Sequence, residues 1–280
     1  MRPGIFAKTF AVGSLEASLD RVVDSGVGTI QFNLALTGGP SLPPDVPADL
    51  AAWVRESAHE RGLEIAAVSG TYNMAHPEPR MRRRGLQALA ALVAAAPTLG
   101  TRVVTLCTGS RDAKDMWRWH PDNASSEAWA DMLDAVTSAV AIAEKHDVVL
   151  GIEPERGNVV ADATSARRLL DQIDSRHLRI VIDPANLIRP GELDRQEHTL
   201  GEAFELLGAE LVLAHAKDLL ADGTVVAAGL GSLDYSRYIS LLARCRYAGA
   251  VVLHGLEPDE VARSVAFLTS HLERQATEVG

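Results

Sequence analysis

Eight short apolar runs rich in β-branched residues recur along the chain, each followed by a polar cluster and then by a stretch with helical spacing. They begin near Ile5, Thr29, Glu64, Arg102, Val148, Arg179, Glu210 and Gly249, at intervals of 24, 35, 38, 46, 31, 31 and 39 residues. A strand, a crossover helix and the next parallel strand need about 30 residues, so every interval after the first holds one crossover comfortably. Apolar stripes at three- and four-residue spacing fill the intervals: Trp129, Met132, Leu133, Val136 and Val140; Leu169, Leu170 and Ile173; Tyr238, Leu241, Leu242 and Cys245. Ser14 and Thr164 stand where a hydroxyl can cap a helix N-terminus, and Gly26, Gly62 and Gly249 follow helical stretches. Eight such units in 280 residues predict one (β/α)8 TIM barrel spanning 1–280, with no room for a second domain. The competing doubly wound sheet favours a glycine-rich phosphate loop after its first strand, whereas this chain has Lys8-Thr9-Phe10-Ala11-Val12-Gly13 there.

Composition narrows the partners. With 27 Lys and Arg against 37 Asp and Glu, the formal charge of −10 repels a phosphate backbone and argues against nucleic acid or an anionic membrane. The arginines of Arg80–Arg84 read as a solvated helix face. Two cysteines, Cys107 and Cys245, suggest neither a disulfide framework nor a thiolate metal site. No segment approaches eighteen uninterrupted apolar residues, and the first six residues lack the apolar stretch of an export signal, so a cytoplasmic, unprocessed protein is expected.

In a closed barrel the strand C-termini share one mouth, so residues far apart in sequence meet there. The fifth run ends in Glu153, the sixth in Asp183, the seventh in His215 and the eighth in His254. Taken singly, Glu153 reads as half of a buried ion pair, Asp183 before Pro184 as a turn cap, and His215 as a hydrogen-bonded core histidine. Their common position argues for a divalent-metal site of mixed oxygen and nitrogen donors, suited to Mn, Mg, Co or Zn. Lys217 is placed to reach a substrate oxygen, or else pairs with Asp218 at the surface; Asn186 bonds a substrate hydroxyl or its own turn. The segment after the third run carries Asn73 and His76. After the fourth, Trp117-Arg118-Trp119-His120 forms an aromatic loop that can roof a sugar pocket, pack as a lid, or meet another copy in a homo-oligomer. No basic cluster marks a phosphate loop between the seventh and eighth runs, which leans toward an unphosphorylated substrate.

Four segments carry a resemblance that extends along essentially the whole chain: Gly151-Ile152-Glu153-Pro154-Glu155, Ile182-Asp183-Pro184-Ala185-Asn186-Leu187, His215-Ala216-Lys217-Asp218, and Gly229-Leu230-Gly231-Ser232-Leu233-Asp234-Tyr235. In their order and chemistry they resemble the xylose isomerase-like superfamily of sugar isomerases, epimerases and dehydratases. The resemblance implies a barrel, one divalent ion held by Glu, Asp, His and Glu, and a sugar-like polyhydroxy-carbonyl substrate processed through an enediolate. Glu153 is then both ligand and base, with His254 or Glu257 as second proton carrier. Two positions depart from the pattern: Asn186 stands where many members have histidine, and His254 where the final glutamate is expected. A sugar or inosose dehydratase and a non-catalytic metabolite-binding barrel remain as alternatives. An abasic-site endonuclease fits less well, for charge and for want of further ligands.

Overall fold

The computed structural model describes residues 1–279; Gly280, the final residue of the expected barrel, lies outside the described residues. The strands are β1 (Arg2–Phe6), β2 (Thr29–Phe32), β3 (Glu64–Ser69), β4 (Val103–Leu106), β5 (Val149–Ile152), β6 (Leu178–Ile182), β7 (Leu211–Leu219), β8 (Val225–Ala227) and β9 (Ala250–Leu253). Eight of them pair in parallel, with β9 between β7 and β1 and β6 against β7, so the sheet closes on itself as a (β/α)8 barrel. The helices are α1 (Leu15–Asp24), α2 (Ala48–His59), α3 (Pro79–Leu99), α4 (Ser126–His146), α5 (Ala163–Ile173), α6 (Pro184–Leu187), α7 (Gln196–Leu207), α8 (Tyr235–Arg244) and α9 (Val261–Val279). Among the described residues, no helix is long and apolar enough to cross a membrane.

Local details differ from the sequence reading. The first interval holds a helix after all, α1, capped by Ser14, whose side chain accepts from Ala17 N. Thr164 lies inside α5; the cap is Asp162, whose carboxylate outcompetes a threonine hydroxyl by forming a reciprocal capping box with Ser165. Gly249 ends no helix, because α8 stops at Arg244 and Arg246 takes the left-handed turn at φ 58°. The eightfold count also missed β8, a three-residue strand antiparallel to β7 and too short to show a period.

Two layers of packing organise the molecule. The main core lies between sheet and helices, and a small separate cluster, Ala67, Val181, Leu213, Ala250 and Val252, fills the barrel interior. Strand side chains alternate faces, so residues two further along the same strands also point inward, one layer nearer the mouth. Above Ala67, Val181, Leu213 and Val252 they are Ser69, Asp183, His215 and His254. The apolar plug and the polar site are thus consecutive layers of one stack, the lower making a rigid floor for the upper. Gly151 belongs to this arrangement, since a Cβ there would come within 2.8 Å of Val181 Cγ2.

Candidate metal and substrate site

Glu153 follows β5 directly and is fixed by its backbone N–H, which donates to Leu106 O at 2.8 Å. Asp183 caps α6: Oδ1 accepts from Ala185 N at 3.0 Å, which turns Oδ2 toward the barrel axis. The expected turn cap and the expected inward ligand are therefore two oxygens of one carboxylate. His215 sits within β7, Nδ1 3.3 Å from Glu153 Oε1 and 3.8 Å from Asp183 Oδ2. Beneath the ring, Tyr238 Oη donates to His215 O at 2.9 Å.

The far side of His215 explains its tautomer. Gln31, inward on β2, donates through Nε2 to Thr105 Oγ1 at 3.1 Å, which leaves its amide oxygen 2.8 Å from His215 Nε2. Nε2 must carry hydrogen to use that acceptor, so Nδ1 offers a lone pair to the interior. A histidine donating one ring N–H to a carbonyl while the other nitrogen faces a cluster of carboxylates has the arrangement common to metal-binding imidazoles.

Among the described residues, Glu153, Asp183 and His215 form a group whose ligand atoms all lie within 4.8 Å of one another. His215 Nδ1 is buried without a hydrogen-bond partner, and the equally buried Asp183 Oδ2 has the Lys217 ammonium beside it at 2.9 Å. A buried acceptor left without a donor is costly unless something cationic completes it, and the donor set of two carboxylates and one imidazole fits a divalent ion. Cys107, whose Sγ lies 3.9 Å from Glu153 Oε2, adds no thiolate, because burial and then the Glu153 charge push its thiol well up.

His254 does not join the group. It follows β9 and stacks on His215, ring centroids 5.2 Å apart and planes within 11°, with Phe6 on another side at 4.8 Å. Burial, then the nearby Lys217 charge, hold it well below the usual histidine range, so the ring is neutral and its buried Nδ1 unpartnered. Lys217 is no surface residue. On the inward face of β7, it places Nζ 2.9 Å from Asp183 Oδ2 and 3.5 Å from Glu153 Oε1. Burial alone would push its ammonium down, but the two carboxylates outweigh that and raise it. Burial likewise opposes ionisation of Glu153, but its neighbours, the Lys217 ammonium among them, overcome that and hold the carboxyl below its ordinary range. Asn186 donates to Glu153 Oε1 at 2.7 Å, so its amide orients a site carboxylate.

The cluster opens into a cavity of about 390 Å³ whose lining includes Phe6, Lys8, Gln31, Asn33, Trp117, Glu153, Glu155, His215, Lys217 and His254. Of the expected substrate contacts, Trp117 and Lys217 line it and Asn73, His76, His120 and Asn186 do not. Asn73 exchanges two hydrogen bonds with the backbone of Ser110, at 2.8 and 3.0 Å. His76 accepts from Glu78 N, and His120 from Asp122 N. Glu257 is exposed beyond β9 and lies outside the cavity lining. Gln31 and Glu155 were missed. Counting every second residue from Thr29 through Gln31 on β2 to Asn33 just past it marks the first as sharing their face; the second stands two residues after Glu153, with burial and then Glu153 raising its carboxyl.

The aromatic loop is a built wall, since Asn123 Oδ1 accepts from Arg111 N at 2.7 Å and its amide donates to Gly157 O at 2.9 Å. Asn158 donates to Met116 O at 3.0 Å, and a Cβ on Gly157 would collide with the Trp117 carbonyl. Asn123→Ala strands these buried partners, so stability is expected to fall by about 2–4 kcal/mol in urea unfolding, with new protease cleavage within residues 109–125. An unchanged midpoint and cleavage pattern would show the loop is held elsewhere.

Residues 19–271 match the sequence profile described as xylose isomerase-like TIM barrel. No functionally curated protein matches significantly in sequence. Among solved structures, the apo form of 3-keto-D-glucoside 4-epimerase, YcjR, from E. coli is similar at TM-score 0.75 and 19% identity, over 96% of this chain and 99% of that one. An L-ribulose 3-epimerase aligns at TM-score 0.77 and 17% identity, over 99% and 96%. An IolI protein with a zinc atom aligns at 0.74 and 15%, over 98% and 99%. At these identities the likeness concerns the fold.

Proposed function

The chain belongs to the xylose isomerase-like TIM barrel family, and from that premise we propose that it is a divalent-metal-dependent isomerase or epimerase of a sugar or related polyhydroxy-carbonyl compound. The observation that carries this reading is the buried triad of Glu153, Asp183 and His215, with His215 Nδ1 left unpartnered, beneath a cavity at the barrel mouth. The epimerase descriptions of the structural neighbours agree with it. These three residues would hold the ion. Bound there, it lowers the energy of negative charge developing on a substrate carbonyl oxygen.

The remaining work falls to side chains. Glu153 removes the proton beside the carbonyl, with Asn186 on its Oε1 fixing the carboxylate plane. The carboxylates lining the cavity are Glu153 and Glu155, so Glu155 takes the place expected for Glu257 as second proton carrier. Trp117 offers a ring face to the C–H surface of the sugar. Dehydration of the same substrate class is the second reading, favoured by the neutral His254 where a further carboxylate was expected.

Incubating the Mn²⁺-supplemented protein with a panel of ketoses and ketoglycosides in D₂O tests both. Deuterium incorporated beside the carbonyl, with a new isomer, supports isomerisation or epimerisation; an eliminated water identifies the lyase. A panel without exchange or elimination overturns the proposal. Gln31→Met probes the ion site separately: with no acceptor for His215 Nε2–H, metal affinity is expected to fall about 10–100-fold by calorimetry. Unchanged affinity would remove Gln31 from the site.

A further inference from the structure

Lys217 and a divalent ion would contend for the same oxygens. The Lys217 ammonium lies 2.9 Å from Asp183 Oδ2 and 3.5 Å from Glu153 Oε1, and these two carboxylates belong to the triad that gathers ligand atoms within 4.8 Å. All three side chains are buried, Asp183 at 1% exposure and Glu153 and Lys217 at 8% each, so water screens the contest weakly. A cation of charge two cannot share these oxygens with an ammonium at contact distance without strong repulsion. Either the lysine moves or the ion is excluded.

The lysine has the means to move. Its backbone is fixed by the β7–β8 ladder, where Lys217 pairs with Ala227, and by Tyr235 Oη donating to Lys217 O at 2.7 Å. Motion is left to a flexible four-carbon stem carrying a compact charge. Glu155 lines the same cavity and supplies a second carboxylate to receive that charge. The neutral His254 contributes no negative charge to offset the ammonium, whereas the resemblance implies a third ligand carboxylate at its position.

We propose that Lys217 is a built-in counter-cation, paired with Asp183 and Glu153 until a divalent ion displaces it toward Glu155, so that this lysine sets the metal affinity of the chain. The inference rests on reading the triad as a metal site. Its test is calorimetric titration of EDTA-treated, dialysed protein with MnCl₂ at fixed pH. Wild type is compared with Lys217→Met and Lys217→Gln, the second keeping an amide donor for Asp183 should the first fold poorly. Both variants are expected to bind Mn²⁺ about tenfold or more tightly than wild type. Each should also melt below wild type without metal, through unpaired carboxylates, and gain more in Tm from saturating Mn²⁺. Wild type and variants binding with equal affinity, or the variants more weakly, overturns the competition while leaving the metal site intact. No binding by any of the three proteins overturns both.

Discussion

Glu153→Gln should leave a folded barrel with turnover reduced about 10²–10⁴-fold, the range over which a positioned acid or base contributes. The substitution is nearly isosteric, and the surroundings tolerate it. The amide oxygen can keep its bond from Asn186 Nδ2, and the amide nitrogen then replaces Oε2 beside Cys107 Sγ. Lys217 retains Asp183 at 2.9 Å, so no buried cation is left alone. What disappears is the lone pair that accepts the substrate proton and one anionic ligand. Tm within a few degrees of wild type together with loss of deuterium exchange separates chemistry from folding. Wild-type exchange by the metal-supplemented variant would eliminate the assigned role.

The barrel was legible because its strands are buried on both faces, which writes each as a continuous apolar run that no surface loop imitates. The triad was legible for the related reason that a charged or imidazole side chain directly after such a run is pinned by the strand it ends. Glu153 and Asp183 are of this kind, and His215 closes the apolar run of β7 although the strand continues to Leu219. Asn73, His76 and His120 sit in loops, where the same polar groups most economically satisfy nearby backbone, and all three do so. Glu257 lies four residues past the end of β9, in an exposed segment that no strand holds toward the mouth. Gln31 was hidden by its own strand. In Thr29-Ile30-Gln31-Phe32 a polar residue between two apolar ones reads as the solvent face of a half-buried strand, yet in a closed barrel the opposite face is the interior. Which polar residue meets His215 from 184 residues away is fixed by barrel closure, and no local pattern records it.

Asp218→Ala is expected to be the most destabilising single change near the site, although Asp218 does not enter the cavity. The sequence suggested a surface partner for Lys217. Instead the carboxylate, 1% exposed, accepts three backbone N–H groups: Leu219 at 2.8 Å, Gly229 at 3.0 Å and Leu233 at 2.9 Å. It thereby ties the glycine-rich turn after β8 to the strand carrying His215 and Lys217. The fit is close enough that a Cβ on Gly231 would collide with Asp218 Oδ1, which accounts for the glycine there. Hydrogen bonds to a charged group contribute about 1.5–3 kcal/mol each, and removing the acceptor also leaves the donors desolvated. Allowing for partial rescue by water in the vacated space, a loss of about 3–5 kcal/mol is expected, seen as a Tm lower by about 6–15 °C. Asp218→Asn should fall between, since its single carbonyl oxygen can keep part of the network while its amide hydrogens oppose the remaining N–H groups. The turn also supports Tyr235, whose hydroxyl donates to Lys217 O, so loosening it frees the backbone beneath the ammonium. A Tm within 2 °C of wild type for Asp218→Ala would show that the turn is held by β8 alone and that the His-x-Lys-Asp segment ends, structurally, at its lysine.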